Sequence, residues 1–84
     1  MAQDRILIID DSPETHRLLA ELVLDPKGYR HLSARDGAEG LRLAVKEQPD
    51  LIILDMQMPK MNGIEVLKAL REKGAADFYL ANFL

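Results

Sequence analysis

Two short apolar runs, Ile6–Ile9 and Leu51–Leu54, each end abruptly in acid. The first meets Asp10 and Asp11, and the second meets Asp55. An uninterrupted apolar run of this length fits a strand buried on both faces, as strands of parallel sheets usually are. Open α/β sheets hold their ligands in the crevice beyond the C-terminal ends of the strands. The acids would emerge at that end, which makes Asp55 the candidate reactive group.

The segments between the runs read as helices with explicit start signals. Ser12-Pro13 offers an N-cap and a first-position proline, with Glu14 favourable in the first turn. Leu18, Leu19, Leu22 and Val23 then form an apolar stripe, which Asp25-Pro26-Lys27-Gly28 ends. Tyr29–Ser33 is a short, partly polar strand candidate. Asp36 and Glu39 are spaced as a capping box for a second helix with Ala38, Leu41, Ala44 and Val45 inward, stopped by Gln48-Pro49. Asn62 and Glu65 repeat that spacing ahead of Val66, Leu67 and Leu70, and Gly74 is a C-terminal stop.

The order βαβαβα, with short connections and right-handed crossovers, predicts an α/β fold with strand order 2-1-3. The first and third strands then lie side by side, and Asp10, Asp11 and Asp55 converge at one end. Three carboxylates brought together raise one another's pKa values, and a divalent cation relieves that cost. Hard oxygen ligands suit Mg²⁺, which uses few protein carboxylates and readily adds a phosphate. The pattern therefore predicts a Mg²⁺ site at which Asp55 attacks a phosphoryl group to give an acyl phosphate. An isolated Asp-Asp pair is ordinarily a turn or a helix cap. Two apolar strands ending in acid, the second followed by Met58-Pro59 and Asn62-Gly63, make a more specific pattern.

The remaining candidates point to no other chemistry. His16 falls off the apolar stripe of its helix and reads, like His31, as a surface histidine with no partner at metal spacing. Met56, Met58 and Met61 read as gap-fillers around a tight loop, and Lys60 as a solvated loop lysine. No glycine-rich phosphate loop follows either strand. With no cysteine, disulfides and thiolate chemistry are excluded. A net charge of −3 offers no footprint for nucleic acid or an anionic membrane. No run approaches membrane-spanning length, and the N-terminal apolar run is too short for a signal peptide, so a cytoplasmic protein is expected.

Three stretches carry a family likeness: ILIIDDSP at Ile6–Pro13, ARDGAEGL at Ala34–Leu41 and PDLIILDMQMPKMNGIEVL at Pro49–Leu67. In these the chain resembles the receiver domain of two-component response regulators. The resemblance implies a flavodoxin-like doubly wound parallel sheet, and a signalling module rather than an enzyme. It implies that Asp55 is the phospho-acceptor, served by a phosphohistidine on a histidine kinase or phosphotransfer protein. It implies that Asp10 and Asp11 bind Mg²⁺, one through water, and that Gln57 contributes its backbone carbonyl. Met58-Pro59 and Gly63 shape the loop after the acceptor.

The family pattern has five strand–helix units and continues with a strand ending in Ser or Thr, then one ending in Lys. No residue after Lys73 is Ser, Thr, Lys or Arg. The expectation is a truncated receiver over residues 1–74, lacking the last two units and impaired in phosphorylation, with an apolar tail over 75–84. Its third strand would present an unpaired apolar edge. Ala75, Ala76, Leu80 and Ala81 tip the tail toward helix, the alternative being a strand laid along the third. Phe78, Tyr79, Leu80, Phe83 and Leu84 then suggest a homodimer through that edge and the tail. Alternative functions are a phosphorylation-independent assembly module or a remnant without selected function.

Overall fold

The computed structural model of the chain describes residues 5–55, 58, 62–73 and 79–80. Strand β1 (Arg5–Ile9) leads into helix α1 (Pro13–Leu19), which continues as a π-helical segment, Ala20–Leu24. Then follow β2 (Arg30–Ala34), α2 (Gly37–Glu47), β3 (Leu51–Leu54), α3 (Gly63–Glu72) and β4 (Tyr79–Leu80). The strands pair in parallel in the order β2-β1-β3-β4, which contains the expected 2-1-3 arrangement.

β1 sits centrally with both faces covered, whereas β3 is buried on the face toward α2 and α3 and half-buried at Leu51 and Ile53 on the other. Leu7 and Ile9 of β1, with Ile52 and Leu54 of β3, pack against Ala44 of α2 and Val66 and Leu70 of α3. Ile6 and Ile8 face the other way, toward Leu19, Tyr29, Leu51 and Ile53. Such alternation of side chains between two faces that both bury apolar groups is why neither run contains a polar residue.

The helix starts follow the sequence closely. Ser12 Oγ accepts from the Thr15 N–H, Asp36 from Glu39 N–H at 2.8 Å, and Asn62 from Glu65 N–H at 3.0 Å. Asn62 and Glu65 form the full reciprocal box. The Glu39 carboxylate instead accepts from the Arg35 N–H, one residue before the cap.

The inward faces of the first two helices differ from the expected stripes. On α2 the buried residues are Gly37, Gly40 and Ala44, whereas Ala38 and Val45 are exposed and Leu41 is half-buried. The reason is close packing: the Gly40 backbone lies directly over Ile9, so a Cβ there would stand 2.6–2.8 Å from three side-chain carbons of Ile9. Glycines carry no apolar signal, so the side that approaches closest is invisible to a hydrophobic periodicity. In α1 Leu18 is exposed, as is Leu22 in the π-helical segment, while His16 is buried and Leu19 packs inward. The chain there widens to a π-helix, with the Asp25 N–H bonded to the Ala20 carbonyl at 2.8 Å. That wider turn breaks the regular helical period on which the stripe was read.

The tail differs as well. Tyr79 and Leu80 form a strand paired with Ile53 and Leu54, so the favoured helix is replaced there by the alternative strand. The β3 edge is consequently not open over these two residues. Unpaired main-chain groups beside a buried strand are costly, and a parallel strand satisfies them where a helix would not. The rest of the 75–84 tail lies outside the described residues.

Candidate functional site

The register of the sheet brings the acids together. Ile9 is the partner of Leu54 across β1 and β3, and of Ala34 across β1 and β2. Asp10 and Asp55 are the next residue of each central strand, so they leave the sheet side by side. The ladder extends one step into the acids: the Asp10 N–H donates to the Ala34 carbonyl at 3.0 Å, and the Asp55 N–H to the Ile9 carbonyl at 2.9 Å.

Carboxylate oxygens of Asp10, Asp11 and Asp55 all lie within 4.8 Å of one another. Asp10 is only 2% exposed and Asp55 6%, whereas Asp11 is exposed at the mouth. Oδ1 of Asp10 also accepts from the Ser12 N–H at 2.8 Å, which turns the chain into α1. Burial raises the Asp10 carboxyl above the usual carboxylate range, opposed by the Ser12 hydrogen bond; Asp55 and Asp11 add to the rise, and His16 counters it. Two adjacent buried acids and a third at the opening form an all-oxygen donor set that fits a hard divalent cation.

His16 was expected on the surface, and the structure corrects this: the residue is 8% exposed and its Nε2 lies 2.7 Å from the Asp10 carbonyl oxygen. The signal that could have found it is positional. Helical side chains lean toward the N-terminus, and His16 lies one turn beyond the Ser12 cap. His31 is near the surface, with Nε2 3.2 Å from a carboxylate oxygen of Asp25, away from the acids. Met58 is 6% exposed in the main core, a gap-filler as expected. Gln57, Met56, Pro59, Lys60 and Met61 lie outside the described residues.

The sequence model of the family described as "Response regulator receiver domain" matches residues 6–79. The chain belongs to this receiver-domain family. It is 42% identical over 71 residues to the sporulation initiation phosphotransferase F of Bacillus subtilis, covering 84% of this chain and 56% of that protein. The chain thus spans little more than half of that relative. Among solved structures, the chemotaxis protein CheY4 of Vibrio cholerae superposes with a TM-score of 0.85 at 32% identity, over 94% of this chain and 68% of that one. The response regulator TrrA of Thermotoga maritima, solved in complex with Mg(2+)-BeF, gives 0.82 at 36% identity, over 93% and 66%. The matched region ends at residue 79 and so reaches into β4, beyond the last of the three similar stretches, which ends at Leu67.

Proposed function

We propose that this receiver domain accepts a phosphoryl group on Asp55 from the phosphohistidine of a histidine kinase or phosphotransfer protein in the cytoplasm. It acts as a signalling module rather than an enzyme. Asp10, Asp11 and Asp55 hold Mg²⁺, with the Gln57 backbone carbonyl as a further ligand. The observation that carries this reading is the pair of buried carboxylates, Asp10 and Asp55, leaving neighbouring strands within reach of Asp11. Support also comes from the phosphotransferase named among the relatives and from TrrA, whose structure holds Mg(2+)-BeF.

When bound, Mg²⁺ supplies positive charge against the oxygens of the transferring phosphoryl group. The chain does the rest. The Asp55 main chain is tied to Ile9, which holds its side chain at the strand end. A carboxylate oxygen of Asp55 attacks phosphorus, the P–O bond forms as the P–N bond of the donor breaks, and the electron pair stays on the imidazole nitrogen, which takes up a proton. The product is an acyl phosphate on Asp55. Beryllofluoride is the test: a bound ¹⁹F resonance that requires Mg²⁺ is expected, and a folded chain that gives none contradicts the proposal.

A second reading, an assembly module that works without phosphorylation, is favoured by α1 and the π-helical segment after it, where Leu18 is 46% and Leu22 70% exposed. On the same side of the sheet Leu51 and Ile53 are only half-buried. We place a homodimer contact on this face, because β4 already pairs with the end of the β3 edge. Sedimentation equilibrium is expected to give a dimer for both wild type and Asp55→Asn. A stable monomer at micromolar concentration removes this reading.

A further inference from the structure

His16 belongs to α1 and not to the acid cluster, yet it holds one member of it by the main chain. Its Nε2 lies 2.7 Å from the Asp10 carbonyl oxygen. A carbonyl can only accept, so Nε2 carries the proton and donates. The other ring nitrogen, Nδ1, is buried with no hydrogen-bond partner among the described residues. A buried polar atom left unpaired costs free energy, and an apolar side chain would fill the same position without that cost. What the imidazole adds over an apolar filler is the bond to Asp10.

That bond completes the immobilisation of Asp10. The Asp10 N–H is bound to Ala34, its carboxylate to Ser12 and its carbonyl to His16. Because the peptide unit is planar, a fixed carbonyl also fixes the nitrogen and Cα of the next residue. That residue is Asp11, the exposed acid of the three. We infer that His16 is a positioning residue for divalent-cation binding: it sets the Asp10–Asp11 peptide plane so that both carboxylates face the same point as Asp55. It does not touch the ion. The inference rests on the Mg²⁺ reading above and assigns to α1 a part in it.

The test is a Mg²⁺ titration of the full chain carrying His16→Met or His16→Gln, followed by NMR shifts, with thermal unfolding in EDTA run in parallel. Methionine fills similar space without a donor, and glutamine returns a donor at similar reach. His16→Met is expected to weaken Mg²⁺ binding by about tenfold, as loss of ligand-orienting hydrogen bonds typically does. His16→Gln is expected to bind close to wild type. A merely structural histidine would move the unfolding temperature in EDTA and leave Mg²⁺ affinity alone, and that result overturns the inference. So does equal weakening in both variants, which would trace the effect to packing. If His16→Met does not fold, the wild-type ring decides: its Nε2 proton should be protected from exchange and shift as Mg²⁺ saturates. An unprotected or unresponsive proton overturns the inference. Wild type that binds no Mg²⁺ removes this inference and the cation reading together; wild-type binding with unaffected variants removes this inference alone.

Discussion

Gly40→Val is expected to lower the stability of the fold by roughly 3 kcal/mol or more, the upper range for overpacking a core. Even the first carbon of the new side chain would stand 2.6–2.8 Å from three atoms of Ile9. Ile9 cannot easily yield, since it is fully buried in β1, between β2 and β3. A domain of this size has a total stability of roughly 4–12 kcal/mol, so the loss would be a large share. Gly40→Ala should cost less, because alanine recovers about 1 kcal/mol of helix propensity. The sign of that smaller change is diagnostic. In an Ile9→Ala background, which removes all three clashing atoms, Gly40→Ala is expected to stabilise. Urea unfolding of the four species gives the coupling directly. Equal costs in both backgrounds would mean that the contact does not govern how α2 lies on β1.

The second large effect comes from charge. Asp10→Asn is expected to stabilise the metal-free protein by roughly 1–2 kcal/mol, the scale of a poorly solvated buried polar group. Asparagine keeps the acceptor that Ser12 uses while removing a charge buried beside Asp55 and Asp11. For a domain of this length each 1 kcal/mol moves the unfolding temperature by about 4–8 °C. The pH dependence follows from the direction of the Asp10 shift, which burial raises in the folded state. A carboxyl with a raised folded pKa prefers its proton when folded, so its penalty is absent below the unfolded value of about 4. The penalty then grows as pH rises through the folded value and is complete above it. The advantage of Asp10→Asn should therefore appear across that window and be lost on acidification. Mg²⁺ should reverse the order, stabilising wild type by occupying the deprotonated acids and stabilising Asp10→Asn far less. An advantage that persisted unchanged into acid would contradict the charge explanation.

How much of this was legible in the sequence depended on how each feature is encoded. The central strands announced themselves, because residues fully buried in β1 and at least half-buried in β3 leave no polar position in Ile6–Ile9 or Leu51–Leu54. Their acids converge by register alone, and the helix caps at Ser12, Asp36 and Asn62 are local hydrogen bonds readable from spacing. The helix faces were misread where contact is made by absence of a side chain, as at Gly40, or where a π-helical turn breaks the period after Leu19. His16 reads as a surface residue from the sequence because a polar ring off an apolar stripe looks solvated until its carbonyl partner is placed. The strand at Tyr79–Leu80 was decided by the unpaired groups of β3, a long-range demand that outweighed the helix preference of the neighbouring alanines.

The most direct measurement of the central claim is peptide mapping of the full chain after incubation with acetyl phosphate and Mg²⁺. The expected result is a single acyl phosphate on Asp55, which does not form when EDTA is present during the incubation and is absent from Asp55→Asn. A folded chain that takes up no phosphoryl group, or one labelled at another residue, would contradict it.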